Sequence, residues 1–232
     1  MAAGAAILGG FSRGLLGFGG ALILAPALVF VIEPVVMVPL IMLVDLPANI
    51  GLLKQVWRDW DRHIVTLIVI GTMIGLPAGI YLLGFIDPDI LARMIYAMVA
   101  LAALLLMSGW RYPGHLNRRV LLTAGVANGV TLGATSIATG MVPVLYGGTA
   151  TMAAARANMI VWMSISGPLI FIIASLMHGT TQGLFEAAIL LAPLYLLGVF
   201  LGAKSFKRVN EAVFRKLVLW VLLAAGLLGL FA

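Results

Sequence analysis

The sequence predicts an all-α polytopic membrane protein made of two inverted-topology repeats, each a re-entrant or broken helical hairpin followed by three transmembrane helices. Composition, a weak internal repeat and the placement of loop charges predict it. The 232 residues are 63% hydrophobic and 9% charged, with a mean hydropathy of +1.16. Soluble domains carry about 25% charged residues. The stretches 64–86, 120–155 and 157–185 contain no Asp, Glu, Lys or Arg, and one helical crossing needs roughly 20 apolar residues. The opening "MAAGAAILGG" lacks a basic n-region, so no cleaved signal peptide is expected. The net charge of +6 fits Lys and Arg retained on cytoplasmic loops, and no nucleic-acid partner is expected from it. Cysteine is absent and the three histidines are scattered. No metal or other cofactor is expected.

The repeat aligns "PALVFVIEPVVMVPLIMLVDLPANIGLL" from Pro26 with "PVLYGGTATMAAARANMIVWMSISGPLI" from Pro143. Further on, Gly75 and Gly79 fall on Gly198 and Gly202, and Arg93 on Lys216. This divides a single transporter domain, 1–232, into repeat one, 1–110, and repeat two, 117–232. Basic residues cluster in "KQVWRDWDRH", in "KSFKRVNE" and in the linker "RYPGHLNRR". The turn "FIDPDI" is acidic, and "LMHGTTQG" has no Lys or Arg. Parallel halves would put basic loops on both sides of the membrane. Inverted halves put them all on one side, with the N-terminus outside. Eight plain transmembrane helices are the alternative.

In chain order, apolar segments are expected near 1–31, 34–53, 64–86, 90–110, 118–148, 150–177, 185–203 and 212–231. Inversion requires an odd number of crossings per half, so the long, glycine-interrupted first segment of each half is read as two half-helices. In "GFSRGLLGFGGALILAP", residues 10–26, five glycines and Arg13 interrupt the apolar run. Gly17, Gly19 and Gly20 precede the second half-helix, whose first N–H groups lack intrahelical partners and carry the positive end of the helix dipole. With Arg13 supplying a guanidinium, this reads as an anion site. Close helix packing is the alternative for the glycines, and snorkelling for Arg13. Gly75 and Gly79, with Gly198 and Gly202, read as packing motifs alone. The second segment, "GVANGVTLGATSIATGMVP", carries Thr131, Thr135, Ser136 and Thr139. Their hydroxyls would complete an anion cage or bond back to helix carbonyls. Asp45 and Asn49 interrupt the second segment, and Asp45 is expected to neutralise an arginine, carry a coupling proton or hold two helices as an ion pair. Arg156 and Asn158 open the sixth segment, where Arg156 either faces the site or lies at the aqueous end. Trp57, Trp60, Trp110 and Tyr112 flank basic loops as interfacial aromatics.

"GFSRGLLGFGGALILAPAL" resembles the first signature of the sulfite exporter TauE/SafE permeases. "LVDLPANIGLL", "GLPAGIYLLGFIDPDILARM", "ARANMIVW" and "PLYLLGVFLGAKSFKRVNEAVFRKLVLWVLL" extend the resemblance over nearly the whole chain. It implies a multi-pass transporter of sulfite, organosulfonates or related small anions in the cytoplasmic membrane. It carries over Arg13, Gly17, Gly19, Gly20 and Pro26, together with Asp45, Arg156 and Asn158. Where many members have a Gly-rich "GIGGPP"-like second tip, this chain reads "SIATGMVP", which points to a different anion or to more recognition through hydroxyls. The expected partners are a small anionic substrate and the bilayer, with proton coupling and a homodimer left open. No GxxxxGK[ST] motif occurs, so a secondary carrier is expected. An anion channel and an intramembrane structural subunit are the alternatives. No nucleophile–base pair suggests an enzyme.

Overall fold

The computed structural model describes residues 2–109, 112, 116–137, 151–179, 183–205 and 211–230, with the backbone alone for residues 152, 211–218 and 221. Among them are nine helices and no strand: α1 (Ala2–Leu16), α2 (Gly20–Leu28), α3 (Pro34–Val56), α4 (Arg62–Phe85), α5 (Pro88–Met107), α6 (Arg118–Thr135), α7 (Met152–His178), α8 (Leu184–Ser205) and α9 (Glu211–Leu230). Five are long and apolar enough to cross a bilayer: α3, α4, α5, α8 and Ala153–His178 of α7. The first segment is broken where its glycines cluster, and the fifth ends as a helix at Thr135.

Local chemistry sets the helix starts. Asp61 accepts from Ile64 N at 3.0 Å, Asp87 from Asp89 N at 2.9 Å, Asn117 from Val120 N at 2.9 Å and Thr151 from Ala154 N at 3.2 Å. Each carboxylate, amide or hydroxyl satisfies an N–H that the first helical turn cannot. Pro34 and Pro88 open α3 and α5, where a missing N–H costs nothing.

The helices pair across the two halves. α1 packs along α8, α4 along α6, α3 along α7 and α5 along α9. Glycines make two of these contacts close. A Cβ on Gly10 or Gly14 would collide with the carbonyl of Tyr195 or Val199, and one on Gly198 or Gly202 with that of Ile7 or Phe11. Gly71, Gly75 and Gly79 meet the carbonyls of Leu122, Val126 and Val130 in the same way. Without a hydrophobic force between helices in lipid, such backbone-close packing supplies much of the association energy. The register rises together along both pairs, so α1 runs parallel to α8 and α4 parallel to α6. α3 and α7 are antiparallel: Gly167 lies against Met42 and Asn49, while Asn158 Oδ1 accepts from Asp61 N at 2.7 Å.

These directions place the helix ends. Gly17, just past α1, lies against Arg156 and Ile160, next to the α3–α4 turn. Ser136, just past α6, donates through Oγ to Val38 O at 3.4 Å, one turn into α3. The two ends therefore approach α3 from opposite sides. Lys204 follows Ala203, whose N lies beside Gly14, so it shares the side of the Arg58 turn. His178 packs on Gly84 and bonds Ile80 O at 2.8 Å, near the acidic Asp87 turn. Lys207 lies outside the described residues.

Candidate functional site

The break between α1 and α2 rests on two left-handed glycines, Gly17 at φ 79° and Gly19 at φ 93°. L-residues avoid this backbone region, so glycine at both positions lets the chain reverse. α2 folds back on α1: Gly20 O lies 3.0 Å from where a Gly9 Cβ would stand, and Ser12 Oγ donates to Phe18 O at 3.4 Å. The first bond of α2 is Ile23 N to Gly19 O, 3.3 Å. The N–H groups of Gly20, Ala21 and Leu22 precede it and have no partner within the helix.

Arg13, in the last turn of α1, is 1% exposed. Its Nε donates to Asp45 Oδ1 and Oδ2 at 3.2 and 3.4 Å, Nη2 to Asn49 Oδ1 at 2.7 Å, and Nη1 to Gly17 O. The snorkelling alternative is thus excluded, and the ion pair with Asp45 is present. A second donor reaches the same carboxylate: Tyr195 Oη, from α8, lies 2.8 Å from Asp45 Oδ1. A lone buried arginine would be very costly in a membrane interior. Paired with Asp45 and hydrogen-bonded through each of its three nitrogens, it is retained beside a balancing carboxylate.

These groups surround a cavity of about 30 Å³, lined by Arg13, Asp45, Tyr195, Ser136, Gly19, Gly20, Ala21 and Leu22 with apolar Phe18, Ile41, Met42 and Met163. Such a volume holds one or two waters. Ser136 enters from the other half of the chain. It is the one non-glycine residue at positive φ among those described, at φ 61°, and its N–H bonds Leu132 O at 2.8 Å. Thr131 and Thr135 bond back to Asn128 O and Thr131 O at 3.0 and 2.6 Å. They take the helix-carbonyl alternative. Thr139 lies outside the described residues.

The remaining predicted residues stand around the cavity without lining it. Asn49 orients Arg13, and Asn158 ties α7 to the α3–α4 turn. Arg156 is 7% exposed, near the start of α7. Its Nε and Nη2 donate to Leu15 O and Gly14 O at 3.2 and 2.7 Å. Arg13 and Arg156 together thus cap the carbonyl end of α1, where the helix dipole is negative. The space beside each tip glycine is already used. A Cβ on Gly17 would come within 2.9 Å of Arg156 Cγ, one on Gly19 within 2.6 Å of Ser12 Oγ, and one on Gly20 would overlap Tyr195 Oη. Tyr195 is the cavity residue that sequence reasoning missed. Its only signal is a phenol in mid-helix within "LLAPLYLLGVF", where a buried hydroxyl requires a partner. Among the described residues, no group of three or more His, Asp or Glu side chains is placed to hold a metal.

Neither a curated protein nor a solved structure matches the chain. A protein-family model described as Sulfite exporter TauE/SafE matches residues 2–228. That span takes in both helix ends, the cavity between them and all four cross-half pairings. Through it, this multi-pass helical chain belongs to the sulfite exporter TauE/SafE family of membrane transporters.

Proposed function

We propose that the protein is a secondary carrier for a small oxyanion, such as sulfite or an organosulfonate, in the cytoplasmic membrane. The anion binds at the cavity between the two helix ends. The observation that carries this reading is the convergence on one small cavity of a buried guanidinium, the amino end of α2 and a hydroxyl from the other half. Oriented N–H groups and arginine are complementary to oxyanions, and helices broken near the midplane recur at transporter substrate sites. Arg13, Gly19, Gly20, Ser136 and Tyr195 contact the substrate. Gly17, Arg156, Asn158 and Asn49 hold the frame. Repeats 1–110 and 117–232 are inverted about the site. The opposed approach of α1 and α6 to α3 supports this, as does the grouping of Arg58 with Lys204 away from His178.

Calorimetric titration of detergent-purified protein with sulfite, sulfate, thiosulfate and methanesulfonate tests the site. The Arg13→Gln/Asp45→Asn double variant removes both charges together, so its fold remains electrically balanced. A charge-assisted hydrogen bond contributes roughly 1.5–3 kcal/mol, so its affinity should fall about tenfold to a hundredfold below that of the single Asp45→Asn variant, the reference for this comparison. An unchanged dissociation constant would remove the cavity from consideration. Counterflow of labelled anion in proteoliposomes separates a carrier from a channel. Single cysteines at Arg58, Lys207 and His178 report topology, with the first two expected on the cytoplasmic side.

A further inference from the structure

Resting on the anion-site reading above, we infer that the anion enters together with a proton, which Asp45 accepts as it gives up Arg13. Space, donors and charge each lead there. The cavity of about 30 Å³ takes a water or two, not an oxyanion such as sulfite or methanesulfonate. The Asp45 carboxylate itself forms part of its wall, so an incoming anion takes that place. The donors an oxyanion needs are also directed at Asp45: Arg13 Nε at 3.2 Å and Tyr195 Oη at 2.8 Å. Asp45 is thus the internal competitor for the substrate's own ligands.

Displacing it creates a charge problem. One cation, Arg13, would face two anions in a site where Asp45 is 4% exposed. The ionisable groups around Asp45 offer no further compensation among the described residues. α1 brings Arg13, and α8 brings Tyr195. α7 brings Arg156, which is directed at Gly14 O and Leu15 O. α2 has no ionisable residue, and α6 has only Arg118 and Arg119, at its start. In α4, Arg62, His63 and Tyr81 are exposed, as are Asp89 and Arg93 in α5 and Glu186 and Lys204 in α8. Tyr96 of α5 bonds Pro26 O, and His178 bonds Ile80 O at the far end of α7.

A proton from the aqueous side that delivers the anion resolves the problem. The carboxylate becomes a carboxylic acid, the anion pairs with Arg13, and a monoanion plus a proton leave the site's net charge unchanged. Tyr195 allows the exchange without stranding a polar group. Its hydroxyl both donates and accepts, so it turns its hydrogen toward the anion while accepting from the new Asp45 O–H. Gly20 makes this geometry accessible, because any Cβ there would displace Tyr195 Oη.

The test is titration calorimetry with methanesulfonate, a strong-acid monoanion whose own charge is constant around neutral pH. Running it in buffers of different ionisation heat counts protons taken up on binding. Wild-type protein should take up about one proton per anion, and its affinity should weaken as pH rises. Asp45→Asn removes the competitor and the proton acceptor together. It should bind at least about tenfold more tightly near neutral pH, with no proton uptake and a flat pH profile. Tyr195→Phe should bind more weakly yet still take up the proton. Wild-type binding without uptake, or uptake that persists in Asp45→Asn, overturns the inference and leaves the anion site standing. The wild-type count decides even if Asp45→Asn does not fold. No binding of any oxyanion would remove both readings together.

Discussion

The ends of α1 and α6 use one backbone device with opposite chemistry. Each helix stops at a left-handed residue beside the same cavity, Gly17 after α1 and Ser136 after α6. The first end is crowded with charge: two arginines hold the carbonyls of Gly14, Leu15 and Gly17, and a carboxylate balances one of them. The second end has no charged group in the described residues after Arg119, only hydroxyls that bond backbone carbonyls. A hydroxyl helps to fasten one helix end cheaply. Fastening the other with guanidinium in apolar surroundings is costly, so it implies a use for the charge beyond holding the backbone.

Substitutions break or sharpen that contrast, the largest effect first. Arg13→Gln strands Asp45 as a buried charge and should cost about 3–5 kcal/mol of stability. A melting curve in detergent should fall steeply, and Asp45→Asn in the same chain should recover most of the loss. If Arg13→Gln melts where wild type does, the first end is not charge-built. Next comes Gly17→Ala, which forces an L-residue into φ 79° and a Cβ to within 2.9 Å of Arg156 Cγ. It should cost roughly 1–3 kcal/mol, again read as a lowered melting point. Ser136→Gly should do less. It relieves the left-handed strain while losing one long hydrogen bond, so stability should stay within about 1 kcal/mol. A several-fold weaker oxyanion affinity would then assign its hydroxyl to the ligand. The smallest effect is expected from Gly51→Ala, where nothing stands within 4 Å of the added Cβ. It should raise stability by roughly 0.5–1 kcal/mol through helix propensity. Gly75→Ala is no substitute control, since its Cβ would collide with Val126 O.

Much of the architecture was readable because hydropathy and punctuation act locally. Apolar segments near 34–53, 64–86, 90–110, 150–177 and 185–203 marked the long apolar helices, and Gly17, Gly19 and Gly20 marked the break in the first segment. The glycine pairs at 75, 79, 198 and 202 were legible as packing motifs, but their partners were not. Spacing tells which face is small, not which helix lies on it. For the same reason Arg156 could be placed on a helix but not against the end of α1, which lies far away in sequence. Tyr195 stayed hidden because a single phenol in an apolar helix looks alike whether it faces lipid or Asp45. The ion pair of Arg13 with Asp45 was one alternative among several, and only the fold-back of the chain selects it.

The close pairing of α1 with α8 bears on how the chain is made. Gly10 and Gly14 fit the backbone of Tyr195 and Val199, so α1 waits for a helix synthesised some 180 residues after it. Until then, the α1–α2 hairpin has its polar tip without Tyr195 and its glycine stripe without a partner. α4 and α6, much closer in sequence, join early and provide the wall against which the rest assembles. Closure of the site should therefore come late, when Leu184–Ser205 slides in beside α1 and shuts the network around Asp45. A chain truncated before residue 184 should insert into the membrane yet remain open to protease at Gly17–Gly20.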